Sequence, residues 1–334
     1  MSNCMACHAP ATLHCPVPFC RAPFCSKRCY KITYKPHAKV THPAISSSNS
    51  TTVKASSHGG LGVFASTAVT KGTLLLLDPT LLTVSETDTQ SKVNQARLND
   101  LPETTRDKVF ELADNANTAT ATTPKTLEGI IKTNAYPTNS PAEGSLHHLF
   151  ARFNHSCDPN TSHRYIDLLG MRGVWASRNI AEGEELFSSY VDVFTSREKR
   201  REELRERFDF DCRCRSCERG DANDDAKRQR IRVLDETVYE NVKVGDYNDA
   251  RIHIEERRRL LEETKLDSPA EMYRLANDEQ QCEEHRGSNP ERALKAAREV
   301  EHFGSLCMLR EQQAFIELGE NIKKLELQAS KTAS

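Results

Sequence analysis

The sequence predicts an α+β protein in three parts: a small cysteine-rich N-terminal unit, an antiparallel β-rich centre and an all-helical end. Three observations carry this. Six of the 12 cysteines fall within the first 29 residues. Two strand–turn–strand patterns lie in the middle of the chain, and proline-started helical patterns fill the last third. A length of 334 residues fits two or three domains.

The N-terminal unit, residues 1–45, carries Cys4-x2-Cys7, Cys15-x4-Cys20, Cys25-x3-Cys29 and His37-x4-His42. So short a segment buries too little apolar surface to fold alone, and metal ligation supplies the difference. Tetrahedral zinc takes four N or S ligands, so eight ligands make two sites. An interleaved pairing puts Cys4, Cys7, Cys25 and Cys29 on one ion, and Cys15, Cys20, His37 and His42 on the other. His8 and His14 stand ready to replace either histidine. Residues 46–57 are rich in Ser and Thr and read as a flexible linker.

The central block, 58–217, reads as β with a helical insertion at about 86–145. Val63–Ala65 and Thr73–Leu77 flank the turn Val69–Gly72; Gly173–Ala176 and Glu185–Phe187 flank Ala181–Glu184. Lys92–Leu112 and Lys125–Lys132 carry helical patterning, separated by a low-complexity loop, Ala113–Pro124. Trp175 is expected in the core. Cys157, Cys212, Cys214 and Cys217 supply a closed structural zinc site, the third in the chain. After a hinge at Arg219–Asp225, residues 226–331 are helical. Ser268-Pro269-Ala270-Glu271 is a capping box with Pro at the first helical position, and Ser288-Asn289-Pro290-Glu291 repeats it. Ala293, Ala296, Ala297 and Val300 share one helix face. The mixed-charge runs Arg197–Arg207 and Glu255–Glu263 read as solvated helices.

Composition excludes several classes. Lys and Arg total 46 against 48 Asp and Glu, a net charge of −2, which lacks the basic excess of a nucleic-acid binder. No apolar run is long enough to cross a membrane, and the start has no secretory pattern. The expected setting is therefore reducing, nucleus or cytoplasm, with thiols free or metal-bound. A monomer is expected.

Two resemblances sharpen this. Phe24-Cys25-Ser26-x2-Cys29-x7-His37 resembles the second half of a MYND finger, a cross-braced two-zinc module that binds protein. His42 stands close to where that family usually has Cys. Further on come Gly59-Gly60-Leu61-Gly62-Val63-Phe64-Ala65, then Arg152-Phe153-Asn154-His155-Ser156-Cys157, then Gly183-Glu184-Glu185-Leu186-x3-Tyr190, then Phe210-Asp211-Cys212-x-Cys214-x2-Cys217. This ordered set resembles the SET domain of protein lysine methyltransferases with its post-SET cysteines, closest to the SET and MYND branch and its fungal relatives. In that branch the finger is inserted within the SET domain. Here it precedes Gly60, so a free-standing finger on a flexible tether is expected.

The resemblance implies methyl transfer from S-adenosylmethionine to the ε-amine of a lysine in a histone or another protein. It implies that Gly59, Gly60, Leu61 and Gly62 cradle the cofactor while Asn154 and His155 hold its adenine and amino-acid ends. Asn134 would add a contact, and Phe210 would stack on adenine or wall the channel. Tyr190 would be the catalytic residue. A free lysine is cationic at neutral pH, with pKa about 10.4, and a dry channel beside a sulfonium lowers that value. Alignment then matters more than a strong base, and a tyrosine hydroxyl can orient the amine. The finger would take Pro-rich peptides. A different implication is an inactive SET scaffold serving as an adaptor.

Overall fold

The apolar run at Leu75–Leu77 is buried, and its strand runs through the middle of the larger sheet. The computed structural model describes residues 3–14, 22–26, 28–29, 50–85, 91–115, 124–167, 169–286, 289–308 and 313–332. In chain order the strands are β1 (Leu13–His14), β2 (Pro23–Phe24), β3 (Thr51–Ala55), β4 (Leu61–Ala65) and β5 (Leu74–Ser85). Helices α1 (Ser91–Asn99), α2 (Glu103–Phe110) and α3 (Leu127–Asn134) follow. Then come β6 (Tyr136–Pro137), β7 (Glu143–His147), a 3-10 turn at Phe150–Arg152, β8 (Asn154–His155), β9 (Thr161–Ile166), β10 (Met171–Ala176) and β11 (Glu185–Ser188). The end of the chain is helical: α4 (Arg197–Phe208), α5 (Arg215–Arg219), α6 (Ala222–Val244), α7 (Tyr247–Thr264), α8 (Pro269–Arg286), α9 (Pro290–Ser305) and α10 (Gln313–Thr332).

The central strands form a five-stranded sheet, β6-β7-β5-β10-β9, and a four-stranded sheet, β3-β4-β11-β8. Alternation along β10 divides its two faces. Val174 and Ala176 face the smaller sheet and pack with Val63, Ala65, Phe150 and Leu186. Met171 and Trp175 face the other way and meet Cys4 and Phe24 of the N-terminal unit, both fully buried. Gly173 is bare because a Cβ there would lie 2.3 Å from the Trp175 ring. Trp175 is core, as its strand position predicts.

Two expectations about the N-terminal half are corrected. Residues 51–55 of the presumed linker are strand β3, paired with β4 from Thr51↔Ala65 to Ala55↔Leu61. Ser and Thr suggest a tether by composition, but β-branched Thr and Val suit a strand once an apolar partner lies alongside. Residues 46–49 lie outside the described residues. The finger is also not free-standing. Its apolar residues Cys4 and Phe24 seal the outer face of the large sheet together with Leu77, Ile166 and Met171.

Within the expected 86–145 insertion the chain is helical over α1, α2 and α3, while β6 and the start of β7 also fall inside those bounds; residues 116–123 of the expected loop lie outside the described residues. Leu98, Val109, Leu112 and Ile130 pack on Leu82, Val84 and Leu146. In the helical end α6 packs on α7, α8 on α9 and α9 on α10. Ser268 accepts from the Glu271 amide at 3.3 Å, as expected of a cap. The other cap is Asn289, which accepts from the amides of Glu291 and Arg292; Ser288 lies outside the described residues. The stretch Arg219–Asp225 is not a loose hinge. Asp221 caps α6 there by accepting from Asn223 and Asp224. The charge runs are helical, but not solvated throughout. Arg200 and Arg257 are each 1% exposed. Charge alternation cannot reveal that a neighbouring element supplies carboxylates to a buried guanidinium: Asp225 for Arg200, and Asp235 and Glu271 for Arg257.

Candidate active site and metal centres

The glycine loop joins β3 to β4. Gly59 and Gly60 have φ of 103° and 62°, a region that L side chains rarely adopt, and the space where each Cβ would stand is open. Gly62 is bare for another reason: a Cβ would fall 2.3 Å from Glu185 Oε1. Glu185, on β11, is 8% exposed and gathers this corner. Its carboxylate accepts from Asn154 Nδ2 at 2.7 Å and from Ser56 Oγ at 2.9 Å, with His58 Nδ1 3.4 Å away. The second amide proton of Asn154 goes to the Leu61 carbonyl at 3.2 Å. Parallel pairing of β8 with β11, Asn154 opposite Phe187 and His155 opposite Ser188, brings these segments side by side.

His155 is buried, and both ring nitrogens have partners. Nδ1 accepts from the Tyr190 amide at 3.0 Å, and Nε2 lies 3.3 Å from Cys157 Sγ. Burial holds the ring neutral, lowering its pKa to about 4. It thereby links the backbone of Tyr190 to the cysteine cluster. Tyr190 gives its hydroxyl proton to the Phe153 carbonyl at 2.7 Å, so the oxygen presents only lone pairs to the space beside it. Burial raises its pKa, which keeps the phenol protonated. Its ring lies 4.9 Å from Phe208, which is core, and 6.5 Å from the half-exposed Phe210. Phe210 also lies 6.0 Å from His155. From below, Asp78 Oδ2 accepts from the amides of Leu149 and Phe150, both at 2.7 Å, and fixes the 3-10 turn that leads into Asn154.

Among the described residues two cysteine clusters form, each with its four sulfurs within 4.8 Å of one another: Cys4, Cys7, Cys25 and Cys29, and Cys157, Cys212, Cys214 and Cys217. Measured separations are 3.3, 3.6 and 3.7 Å in the first and 3.6 Å for Cys157–Cys217 in the second. Four thiolates each about 2.3 Å from one tetrahedral ion stand about 3.8 Å apart, so both sets fit zinc. Cys15, Cys20, His37 and His42 lie outside the described residues. Helices α4 and α6 brace the second cluster. Arg228 Nη1 donates to the Cys157 carbonyl at 2.8 Å and Arg197 Nε to the Cys217 carbonyl at 2.6 Å.

A cleft of about 1260 Å³ opens beside this corner. His58, His155, Phe187 and Ser188 line it on the β side, and Asp235, Arg257 and Glu271 line it on the helical side. Ion pairs cross between the two walls: Lys71–Asp267 at 3.0 Å and Asp192–Arg232 at 3.1 Å. Of the predicted site residues His155 lines the cleft, while Gly59, Gly60, Leu61, Gly62, Asn134, Asn154, Tyr190 and Phe210 are not among the lining residues. The Asn134 amide donates to the carbonyls of Ala113 and Ile130 at 2.7 and 2.8 Å. The sequence reading missed Glu185 as the residue that ties the corner together. Its position after Glu184 in the Gly183–Tyr190 motif was the available signal.

The SET-domain family model matches residues 60–191. Residues 60–191 are a SET domain. Histone-lysine N-methyltransferase set5 of Schizosaccharomyces pombe is 32% identical over 100 residues, 29% of this chain and 31% of that protein. N-lysine methyltransferase SMYD2 of Bos taurus is 33% identical over 137 residues, 40% of this chain and 30% of that protein. A SET and MYND domain-containing protein of Dictyostelium discoideum is 40% identical over 65 residues, 20% of this chain and 12% of that protein. The chain thus resembles SET-domain lysine methyltransferases of the SET and MYND and fungal groups. It spans less than a third of the length of these relatives.

Proposed function

We propose that the protein transfers a methyl group from S-adenosylmethionine to the ε-amine of lysine in a protein substrate, a histone or another protein. One observation carries the reading. The glycine loop, Asn154, His155, Tyr190 and Phe210, separate in sequence, converge on one corner beside a cleft large enough for a peptide segment. The open space over Gly59 and Gly60 fits a ligand lying on backbone, and the half-exposed Phe210 offers an aromatic face to its base. Bound there, the cofactor supplies an electrophilic methyl group.

The protein's own residues do the rest. Tyr190 spends its proton on the Phe153 carbonyl, so its oxygen accepts from an incoming amine and points that amine's remaining lone pair. His155 holds the Tyr190 backbone in register with the Cys157 cluster. The two cysteine clusters are read as structural zinc sites, with a third zinc assigned to Cys15, Cys20, His37 and His42. Cysteines gathered into metal-binding sets, with Cys282 and Cys307 as thiols, favour the nucleus or cytoplasm. Calorimetric titration of S-adenosylmethionine into zinc-loaded protein tests the reading. Binding near 1 µM, about −8 kcal/mol, is expected for wild type, lost in Asn154→Ala and largely kept in Tyr190→Phe, whose methyl transfer to protein substrates falls at least 100-fold. No binding by folded, zinc-replete protein refutes methyl transfer and favours a scaffold role.

A further inference from the structure

A second groove, of about 690 Å³, runs between α6 and α8 and meets the cleft where Asp235, Glu236 and Arg274 line both. Its lining carries four carboxylates, Asp235, Glu236, Glu240 and Asp278, against the guanidinium of Arg274. Glu236 and Glu240 make exposed intrahelical pairs, with Arg232 at 3.2 Å and Lys243 at 3.4 Å, which contribute little. The wall shared with the cleft is incomplete. Arg257 pairs with Asp235 and Glu271, both at 3.0 Å, and Arg274 pairs with the same two at 2.7 and 3.4 Å. Asp278 is thus a third carboxylate beside two guanidiniums. It makes no hydrogen bond among the described residues, and Arg257 Nη1 stands 3.6 Å from it. Burial raises its pKa to about 6. Arg257 is 1% exposed, yet its Nη1 and Nε have no hydrogen-bond acceptor among the described residues. Further along the groove Tyr239 is 66% exposed, with Lys243 Nζ 5.9 Å over its ring.

We propose that this groove docks a basic segment of the protein substrate, rich in lysine or arginine and separate from the lysine that is methylated. It rests on the methyl-transfer reading only in taking the docked protein to be the substrate. The wall is short of one cation and one acceptor, and a basic peptide brings both: a charged side chain for Asp278 and a main-chain carbonyl for Arg257. A metal ion or a polyamine brings the cation alone. Tyr239 adds an exposed ring on which a guanidinium can stack. Because the groove opens onto the cleft, one polypeptide can occupy the two together.

The test is fluorescence anisotropy of the full-length, zinc-loaded protein with short labelled peptides of alternating Arg and Ala or of alternating Glu and Ala. The arginine peptide carries no lysine, so its binding reads the groove apart from methyl transfer. Wild type is expected to hold it at least 10-fold tighter than the glutamate peptide. Glu236→Gln combined with Glu240→Gln is expected to weaken it at least 5-fold, and Asp278→Asn to do the same. Glu103→Gln combined with Glu128→Gln removes equal charge from α2 and α3 and is expected to change it less than 2-fold. An equal effect of the two double variants overturns the inference, because net charge alone would then attract the peptide. So does equal binding of the two peptides by wild type, and so does unchanged affinity in a folded Asp278→Asn protein. The double variants decide the matter even if Asp278→Asn fails to fold. S-adenosylmethionine titrated into the same wild-type sample reads the cofactor site separately. Cofactor binding without preference for the arginine peptide refutes the groove, and the reverse refutes the methyl-transfer reading.

Discussion

His147, on β7, is expected to make the protein's stability fall as the solution turns mildly acidic. The ring is 1% exposed. The Asp78 carbonyl can only accept, so Nδ1 carries the proton and donates to it at 3.1 Å. Nε2 then accepts from the Ser145 hydroxyl at 2.8 Å. A second proton on Nε2 would force the Ser145 hydroxyl to turn its own proton away, and burial together with the nearby Arg172 guanidinium lowers the ring's pKa to about 3. In the unfolded chain His147 titrates near 6.5. Between those values the unfolded state binds a proton that the folded state refuses. The stabilisation is therefore complete above pH 6.5 and is lost as the pH falls towards 3. One pKa unit corresponds to about 1.4 kcal/mol, so at pH 5.5 His147 alone removes about 1.4 kcal/mol relative to pH 7.5. His163, also lowered to about 3, works in the same direction, while Asp78, raised to about 6 by burial, opposes both between its unfolded value and 6. Those contributions are shared by His147→Gln, which lacks only the titrating ring. Urea unfolding of both proteins at pH 7.5, 6.5 and 5.5 isolates it. The stability advantage of wild type over His147→Gln should shrink by about 1.4 kcal/mol across that range. A constant advantage would refute the reasoning, because it would mean that the ring takes up its proton equally in both states.

Four further outcomes are expected. Gly62→Ala drives a Cβ to within 2.3 Å of Glu185 Oε1, and calorimetry should show S-adenosylmethionine affinity falling more than 10-fold while zinc content is unchanged. Trp175→Ala removes the ring between the large sheet and Phe24; chemical denaturation should register a loss of about 3–5 kcal/mol, with earlier hydrogen exchange in β1 and β2. Arg228→Met deletes a buried guanidinium held by Asp224 at 2.7 Å and by the Cys157 carbonyl at 2.8 Å. With the Asp224 carboxylate and the buried Cys157 carbonyl left without this donor, a cost of about 2–4 kcal/mol in urea unfolding is expected. Cys212→Ser should lower bound zinc, measured by atomic absorption, by one equivalent per chain and weaken cofactor binding with it, since the cluster and Tyr190 are joined through His155.

Much of the site was legible in the chain because its chemistry needs rare residue types in tight local patterns. Asn154-His155-x-Cys157 packs two site residues and a metal ligand into four positions, and Cys212-x-Cys214-x2-Cys217 completes the cluster. The cap at Ser268 was readable for the same reason: a cap is a contact between residues two or three apart. Long-range contacts left no such trace. Glu185 reaches Ser56, 129 positions away, and nothing local to either residue marks the pair. Arg200 and Arg257 look like every other residue in their charged runs until Asp225, Asp235 and Glu271 arrive from other helices.

What the sequence determined by itself was the make-up of the two four-cysteine sets, the order of the motifs and the α+β division, since each depends on spacing along the backbone. What only the tertiary structure decided was orientation. Strand pairing turned a Ser/Thr-rich tether into β3, burial of Phe24 and Cys4 fastened the finger to the sheet, and two acceptors around Asn154 chose which way its amide turns. Direction is a property of neighbours, and those neighbours meet only when distant segments pack.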